Sequence, residues 1–347
     1  MIRKGISAMT VARPKRRLLS LAAALLLSLP VTHRAAAEEV RVASGFGLSY
    51  LPMYVAVERK LIEAHAAEAG LSDVKVVYQH LSSGPALTDA LISGSADIAM
   101  AGVSVMLNVW DKTVGRSVVK GMMAICDSPI VFNTIDPRIQ SIRDLGDGDR
   151  VAMAAGRGTQ HALVFEMATV KEFGWDQRRK FEALAVSMAH ADGVAALISG
   201  GAVVKTHVTT VPFIQMELAN PKVRTILNSY DVVGGRHTLI SAYAYEKWRT
   251  QNPKLYTATF KALVQAMDII AADKRAAAEL FARVEPSKLT VEEIHKMLLD
   301  ENMLTFSPTP RKVMAFADYM HKAGYMKNQL GSWKEAFFDN VHDLQGD

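Results

Sequence analysis

Val40-Arg41-Val42-Ala43-Ser44, then Gly45-Phe46-Gly47-Leu48-Ser49, then an apolar stretch of helical period from Leu51 to Ala67, decide how the chain is read. Side chains alternate across a strand and recur every three to four residues along a helix. The first five residues therefore predict a half-buried strand, and the stretch after the glycine loop predicts a helix. A second strand is expected over Val74 to Tyr78. Gly84-Pro85 then opens a helix through Ile92, because proline suits a first helical turn, and Ser93-Gly94 closes it. Asp97 to Ala101 reads as a buried strand. Strand, helix, strand, helix, strand is the alternation of an α/β layer.

A second unit of the same kind follows. Ser128 to Asn133 and Val151 to Ala154 read as strands, His161 to Phe173 as a helix, Glu182 to Val186 as a strand, and Asp192 to Ile198 as a helix. Ala90-Leu91-Ile92-Ser93-Gly94 recurs as Ala196-Leu197-Ile198-Ser199-Gly200, each time closing a helix before a short strand. Five residues match easily by chance, and glycine is common where a helix ends. Their matching place in both units favours two similarly built lobes. From Tyr245 the pattern turns helical, with helices expected over Pro253 to Ala272, Asp273 to Arg283, Thr290 to Leu299 and Pro310 to Ala323.

The N-terminal segment holds Arg3, Lys4, Arg13, Lys15, Arg16 and Arg17, then the apolar run Leu18 to Leu29, then Ala35-Ala36-Ala37. A basic start, a short apolar run and a small-residue end read as a secretory signal peptide over 1–37, cut before Glu38. The run is well short of the roughly 20 residues a membrane span needs. Arg16-Arg17 fits a twin-arginine signal poorly, and general export is the default. Seven of the 40 Lys and Arg lie in this segment with no acidic residue, which leaves 33 against 35 Asp and Glu, a net charge of −2. The basic character belongs to the leader, so a nucleic-acid or membrane-surface binder is disfavoured. Cys126, the one cysteine, allows no intramolecular disulfide and no lipid-anchored N-terminal cysteine. The remaining roughly 310 residues exceed what one core usually serves. Two lobes are expected: 38–126 with 236–347, and 127–235 between them.

Leu51-Pro52-Met53-Tyr54-Val55-Ala56-Val57-Glu58-Arg59-Lys60 resembles the "LPLYVAxEKG" signature of the nitrate/sulfonate/taurine-binding (SsuA-like) proteins of ABC transporters. Gly94-Ser95-Ala96-Asp97-Ile98-Ala99 resembles that family's "G-x-x-D-x-A/G" turn, and Ile142-Arg143-Asp144-Leu145-Gly146 its entry into the second lobe. The resemblance implies a type II periplasmic-binding fold, in which a ligand sits in a cleft between two α/β lobes. It also implies a periplasmic, monomeric receptor with no cofactor and no metal, which delivers a small solute to an inner-membrane permease and its ATPase.

Ligands of α/β sheets gather at the carboxyl ends of strands, where helix starts offer free N–H groups. The candidate loops are Ser44 to Ser49, with Gly45 and Phe46; Ser82-Ser83-Gly84; Ala101 to Ser104, with Gly102 and Ser104; and Gly156-Arg157-Gly158-Thr159-Gln160-His161. Arg157 is the one strong cation in these loops, and favours a sulfonate, taurine or nitrate type of anion. His207 and Thr209 end the last strand of the second lobe, and Arg236 lies on the return crossing beside His237. Asp127, at the first crossing, would repel an anion, so it faces away from the cleft or the ligand carries an amine. A thiamine pyrimidine precursor or an aromatic acid also fits such a cleft, as does a sensor acting on a signalling partner. An enzyme is disfavoured, because no G-x-S-x-G elbow, H-E-x-x-H helix or phosphate-binding loop is present. His65, His80, His161, His190, His207 and His237 read as scattered surface or structural residues.

Overall fold

The computed structural model of the chain describes residues 38–347 apart from 82, 155, 201–203 and 286–288. The expected leader, 1–37, and Ser82 lie outside the described residues. β1 (Glu39–Ser44) buries Val40 and Val42 on one face, as its alternation requires. α1 (Leu51–Glu58) and α2 (Leu61–Glu68) lead to β2 (Lys75–His80), and α3 (Gly84–Ser93) leads to β3 (Ile98–Gly102). The one helix expected from Leu51 to Ala67 is broken into two, because Lys60 takes a positive φ of 53° that an α-helix cannot contain. α4 (Val103–Thr113), a helix not foreseen from the sequence, starts where β3 ends and leads to β4 (Val119–Asp127).

The chain then enters a second sheet through β5 (Val131–Thr134) and β6 (Val151–Met153). It continues through α5 (Gln160–Phe173), β7 (Ala185–Ser187), α6 (His190–Ile198), β8 (Thr206–Thr209), α7 (Phe213–Leu218), β9 (Arg224–Asn228) and α8 (Ser229–Val233). β10 (Thr238–Tyr245) returns to the first sheet. The remainder is mainly helical: α9 (Glu246–Gln251), α10 (Pro253–Ala272), α11 (Lys274–Val284), α12 (Val291–Leu299), the two-residue β11 (Thr305–Phe306) and α13 (Val313–Lys322). α10 buries Leu255, Ala258, Ala262, Leu263, Ala266 and Ile270, an apolar stripe with helical spacing, and packs on α1 and α2.

The first sheet runs β11-β4-β10-β3-β1-β2 and the second β7-β6-β8-β5-β9. In the first, β1 is parallel to both β2 and β3, while β10 is antiparallel to β3 and β4. In the second, β6 is parallel to both β7 and β8, while β5 is antiparallel to β8 and β9. Both sheets thus place their first parallel strand in the middle, step outward to the second, and return to the other side for the third. The repeated pentapeptide falls on equivalent pieces: α3 joins β2 to β3, and α6 joins β7 to β8. Gly94 and Gly200 end them with φ of 74° and 89°, a left-handed conformation that glycine adopts without the strain a Cβ brings.

The two crossings are knitted to each other. Ile130 N–H donates to Ser229 Oγ (2.8 Å), and Ser229 N–H donates to Ile130 O (2.8 Å). A hydroxyl that accepts one bond keeps its own hydrogen to give, and His237 Nε2 lies 2.7 Å from Ser229 Oγ to receive it.

Candidate functional site

In an open α/β sheet the crevice opens where connections leave a parallel strand in opposite directions. Here that happens twice, between β1 and β3 and between β6 and β8. The first crevice is bounded by Ser44–Gly47, the end of β2 and the start of α4. The second is bounded by the loop before α5, the start of α6 and the end of β8.

On the first bank Gly45 is where a side chain cannot fit, since a Cβ would lie 2.7 Å from the Tyr50 hydroxyl. Phe46 is 59 % exposed and stacks on His80, with ring centroids 5.0 Å apart and planes at 21°. Tyr54 and Tyr78 surround the same imidazole at 5.4 and 4.6 Å. Glu285, just after α11, accepts the Gly47 N–H at 2.8 Å and the Tyr54 hydroxyl, which holds the glycine loop in place. The Tyr78 phenol is pushed well above its ordinary pKa, chiefly by burial, so it stays a neutral donor. Ser83 caps α3 by accepting the Ala86 N–H at 3.3 Å, with Gly84 following it into the helix.

α4 and α6 start without any side-chain cap, at Gly102 and Ala189. Their first-turn N–H groups therefore keep the need for an acceptor that every helix start has. Ser104, fully buried in the first turn of α4, has no partner for its Oγ. Thr209, fully buried at the end of β8, likewise leaves its Oγ1 without one. A buried hydroxyl without a partner costs about 1–3 kcal/mol, and Ser104 and Thr209 both carry that cost here.

The loop before α5 reaches the first sheet directly. Thr159 caps α5 and gives its hydroxyl to Gly156 O at 2.9 Å. Gly158, with φ of 79°, lies against α4, where its carbonyl accepts from Asn108 Nδ2 at 3.5 Å. Gln160 Nε2 donates to Thr238 O at 2.8 Å, while its Oε1 has no partner and lies 3.2 Å from where a Gly102 Cβ would be. Gln160 therefore meets both Gly102 and the return crossing, while Gly158 lies against α4.

Three expectations are corrected. Arg157 is not an unpaired cation: its Nε lies 3.2 Å from Glu182 Oε1, and its guanidinium sits 5.7 Å over the Tyr325 ring. It borders a cavity of about 270 Å³ lined with Phe165, Thr169, Phe181 and Glu182, all from the second sheet's half of the chain. His207 is not itself at the crevice surface, because it is fully buried between α6 and α7 with Nδ1 2.5 Å from Glu217 Oε1. Nor are the histidines scattered. His161, His190 and His207 form a row, with successive ring centroids 5.1 and 5.2 Å apart. Their spacing of 29 and 17 residues hides this in the sequence, yet His161 and His190 both stand in first turns after parallel strands and His207 stands on the third. Among the described residues no group of acidic, histidine or cysteine side chains is arranged to hold a metal ion.

Arg236 is exposed and bonds Thr305 and Asn302, at 3.0 and 3.2 Å, so it braces the return crossing against the C-terminal segment. Asp127 is buried and its charge is met by Arg311 Nε at 3.0 Å. Burial outweighs that cation and raises its pKa to about 6.

No family model and no curated protein matches the chain. Solved structures do. The alkanesulfonate-binding protein SsuA from Xanthomonas axonopodis pv. citri, bound to MOPS, is 18% identical with a TM-score of 0.66, over 87% of this chain and 99% of that one. The periplasmic aliphatic sulphonate binding protein SsuA from Escherichia coli is 17% identical with a TM-score of 0.66, over 88% and 99%. The periplasmic nitrate-binding protein NrtA from Synechocystis PCC 6803 is 15% identical with a TM-score of 0.65, over 87% and 85%. The chain shares the fold of these periplasmic binding proteins over 87–88% of its length.

Proposed function

We propose that the protein is the solute-binding component of an ABC-type importer: a periplasmic receptor, exported by cleavage before Glu38, that closes on a small oxyanion of the sulfonate, taurine or nitrate type. One observation carries this reading. Two equivalent crevices each offer an uncapped helix start, at α4 and α6, with an unpartnered buried hydroxyl beside it, Ser104 or Thr209. Such an arrangement supplies donors to an acceptor-rich ligand without a full positive side chain. That matters because Arg157 is engaged with Glu182. The solved periplasmic binding proteins of the same fold, two of them titled for sulfonates and one for nitrate, support the same class of ligand. The lobes 38–126 with 236–347, and 127–235, are the bodies that would close, with Gly45, Phe46, Gly102 and Ser104 on one side and Gly158, Thr159, Gln160 and Thr209 on the other.

The test is a thermal-shift screen of the protein recovered from the periplasm against sulfonates, taurine, nitrate, and neutral and cationic metabolites. A solute at 100 times its dissociation constant stabilises by about 2.7 kcal/mol, a readily measured shift. If no solute of any class shifts the transition, the receptor reading is wrong.

A further inference from the structure

We infer that His190 contacts the solute directly, its Nε2–H donating to an oxyanion oxygen, and that the buried His207–Glu217 pair behind it fixes the direction of that donor. This rests on the receptor reading above and specifies its second bank. Glu217 is fully buried in α7. Its Oε2 accepts from Asn133 Nδ2 at 2.9 Å, and Asn133 is held the right way round by Thr225 Oγ1, which donates to Asn133 Oδ1 at 2.7 Å. Its Oε1 faces His207 Nδ1. Both carboxylate oxygens are thus acceptors.

A buried carboxylate needs a counter-ion, because the interior cannot solvate it alone. Glu217 and His207 are both fully buried, and the pair is neutral as a whole when one proton lies between Glu217 Oε1 and His207 Nδ1 and a second sits on His207 Nε2. In that neutral pair the Nε2–H of His207 goes to His190 Nδ1 at 3.2 Å. His190 Nδ1 is therefore an acceptor, and its ring carries its single proton on Nε2. A second proton is opposed by burial and by the neighbouring His161 and His207, which together hold the His190 pKa well below 6.5.

The surroundings of that Nε2–H suit an oxyanion. His190 opens the uncapped α6 and is partly exposed. Phe213 stacks on it at 5.0 Å and 23°, which fixes the ring plane. No described residue accepts its Nε2–H. His161 Nε2 also has no partner, and Thr209 Oγ1 is unmade at the neighbouring strand end. The groups that face His190 are His161 from α5, His207 from β8 and Phe213 from α7, and none brings a negative charge. The preferred solute is one whose contacting oxygens only accept, as in a sulfonate or nitrate.

The experiment is nitrogen-15 NMR of the histidine rings in the protein recovered from the periplasm, with ethanesulfonate, taurine and nitrate as probes, on wild type and Glu217→Gln. In the ligand-free wild type His207 should carry a proton on Nε2 and His190 should be protonated on Nε2 alone. A bound probe should move the His190 Nε2–H resonance, and Glu217→Gln should mix the His190 tautomers and weaken the probe at least tenfold while the fold persists. A proton on His190 Nδ1, or a probe that binds without moving His190, overturns the inference and leaves the receptor reading standing. Failure of all three oxyanions while a neutral or cationic solute binds has the same meaning; failure of every solute removes the receptor reading itself.

Discussion

Arg157 donates toward Glu182, Nε to Oε1 at 3.2 Å, and shares the Tyr325 hydroxyl's neighbourhood with Glu166, which accepts that hydroxyl. The positive residue that stands out in the sequence is therefore already matched by carboxylates that the sequence does not place. Both members of the pair are well exposed, with side chains 53% and 38% accessible, and exposed pairs contribute little. Arg157→Ala should leave the melting temperature nearly unchanged and alter oxyanion affinity by less than about threefold. Calorimetric titration of the variant checks this. A loss of tenfold or more would return Arg157 to the binding site.

Stability should fall on acidification. His161 and His237 are held neutral by burial, with pKa values lowered from 6.5 to about 4, and His190 lies well below 6.5 for the same reason. A group whose folded pKa is depressed lends stability above its unfolded pKa, and that stability is lost as pH falls through the folded value. For fully buried His237 the shift corresponds to about 3 kcal/mol. Asp127 acts the other way: raised from 3.8 to about 6, it favours the folded state below about 4 and that contribution disappears as pH rises through 6. Three histidines outweigh one aspartate. Urea unfolding should show lower stability at pH 4.5 than at pH 7, and His237→Gln should flatten the slope. A protein more stable at pH 4.5 would mean the imidazoles are not buried neutral.

The α/β alternation was legible because the parallel strands are short apolar runs bounded by glycine, as at Ile98–Gly102, and because the helices carry proline or hydroxyl starts, as at Pro85, Thr290 and Pro253. The repeated pentapeptide pointed to two similar units for a sound reason: α3 and α6 do the same job in each sheet. α4 was missed since only Gly102, which ends β3, marks the passage into Val103–Trp110, and the helix has neither a proline nor a hydroxyl or carboxylate cap to mark its start. The site was less legible. Loop positions at strand ends follow from topology, and Gly45, Gly102 and Thr209 lie at such ends. Which side chains pair there depends on contacts between remote segments. Glu182 for Arg157, Glu285 for Gly47, Arg311 for Asp127 and Glu217 for His207 each come from a different stretch of chain.

Gly193 in α6 should prove intolerant of any side chain. A Cβ there would lie 2.6 Å from the His207 ring, and His207 has no room to move because it is fully buried and held by Glu217. Overpacking of this kind costs about 1–3 kcal/mol, against the small gain alanine normally brings to a helix interior. Gly193→Ala should therefore destabilise, and the displaced His207 should release His190 from a single tautomer. A stabilised Gly193→Ala protein would show that the row of histidines is looser than its distances imply.

Closure of the two halves should depend on the missing side chain at Gly102. Gln160, from the start of α5, reaches across to donate to Thr238 O on β10, and its Oε1 lies 3.2 Å from where a Gly102 Cβ would stand. That separation is tighter than ordinary contact, and the neighbour is a buried amide 3% exposed, so it cannot yield freely. Alanine at 102 would push Gln160 off the Thr238 carbonyl, costing the arrangement in which α5 and β10 meet. The halves would still fold, because Gly102 has an ordinary φ of −53° and alanine accepts it. Gly102→Ala should thus change unfolding in urea only slightly, weaken solute binding about tenfold, and leave the radius of gyration unreduced when solute is added. Adding Gln160→Ala removes the obstructing amide, so the double variant should recover part of the compaction while lacking the Thr238 bond. Scattering curves for the two variants decide the matter: if Gly102→Ala compacts on solute as wild type does, the contact between Gly102 and Gln160 has no part in closure.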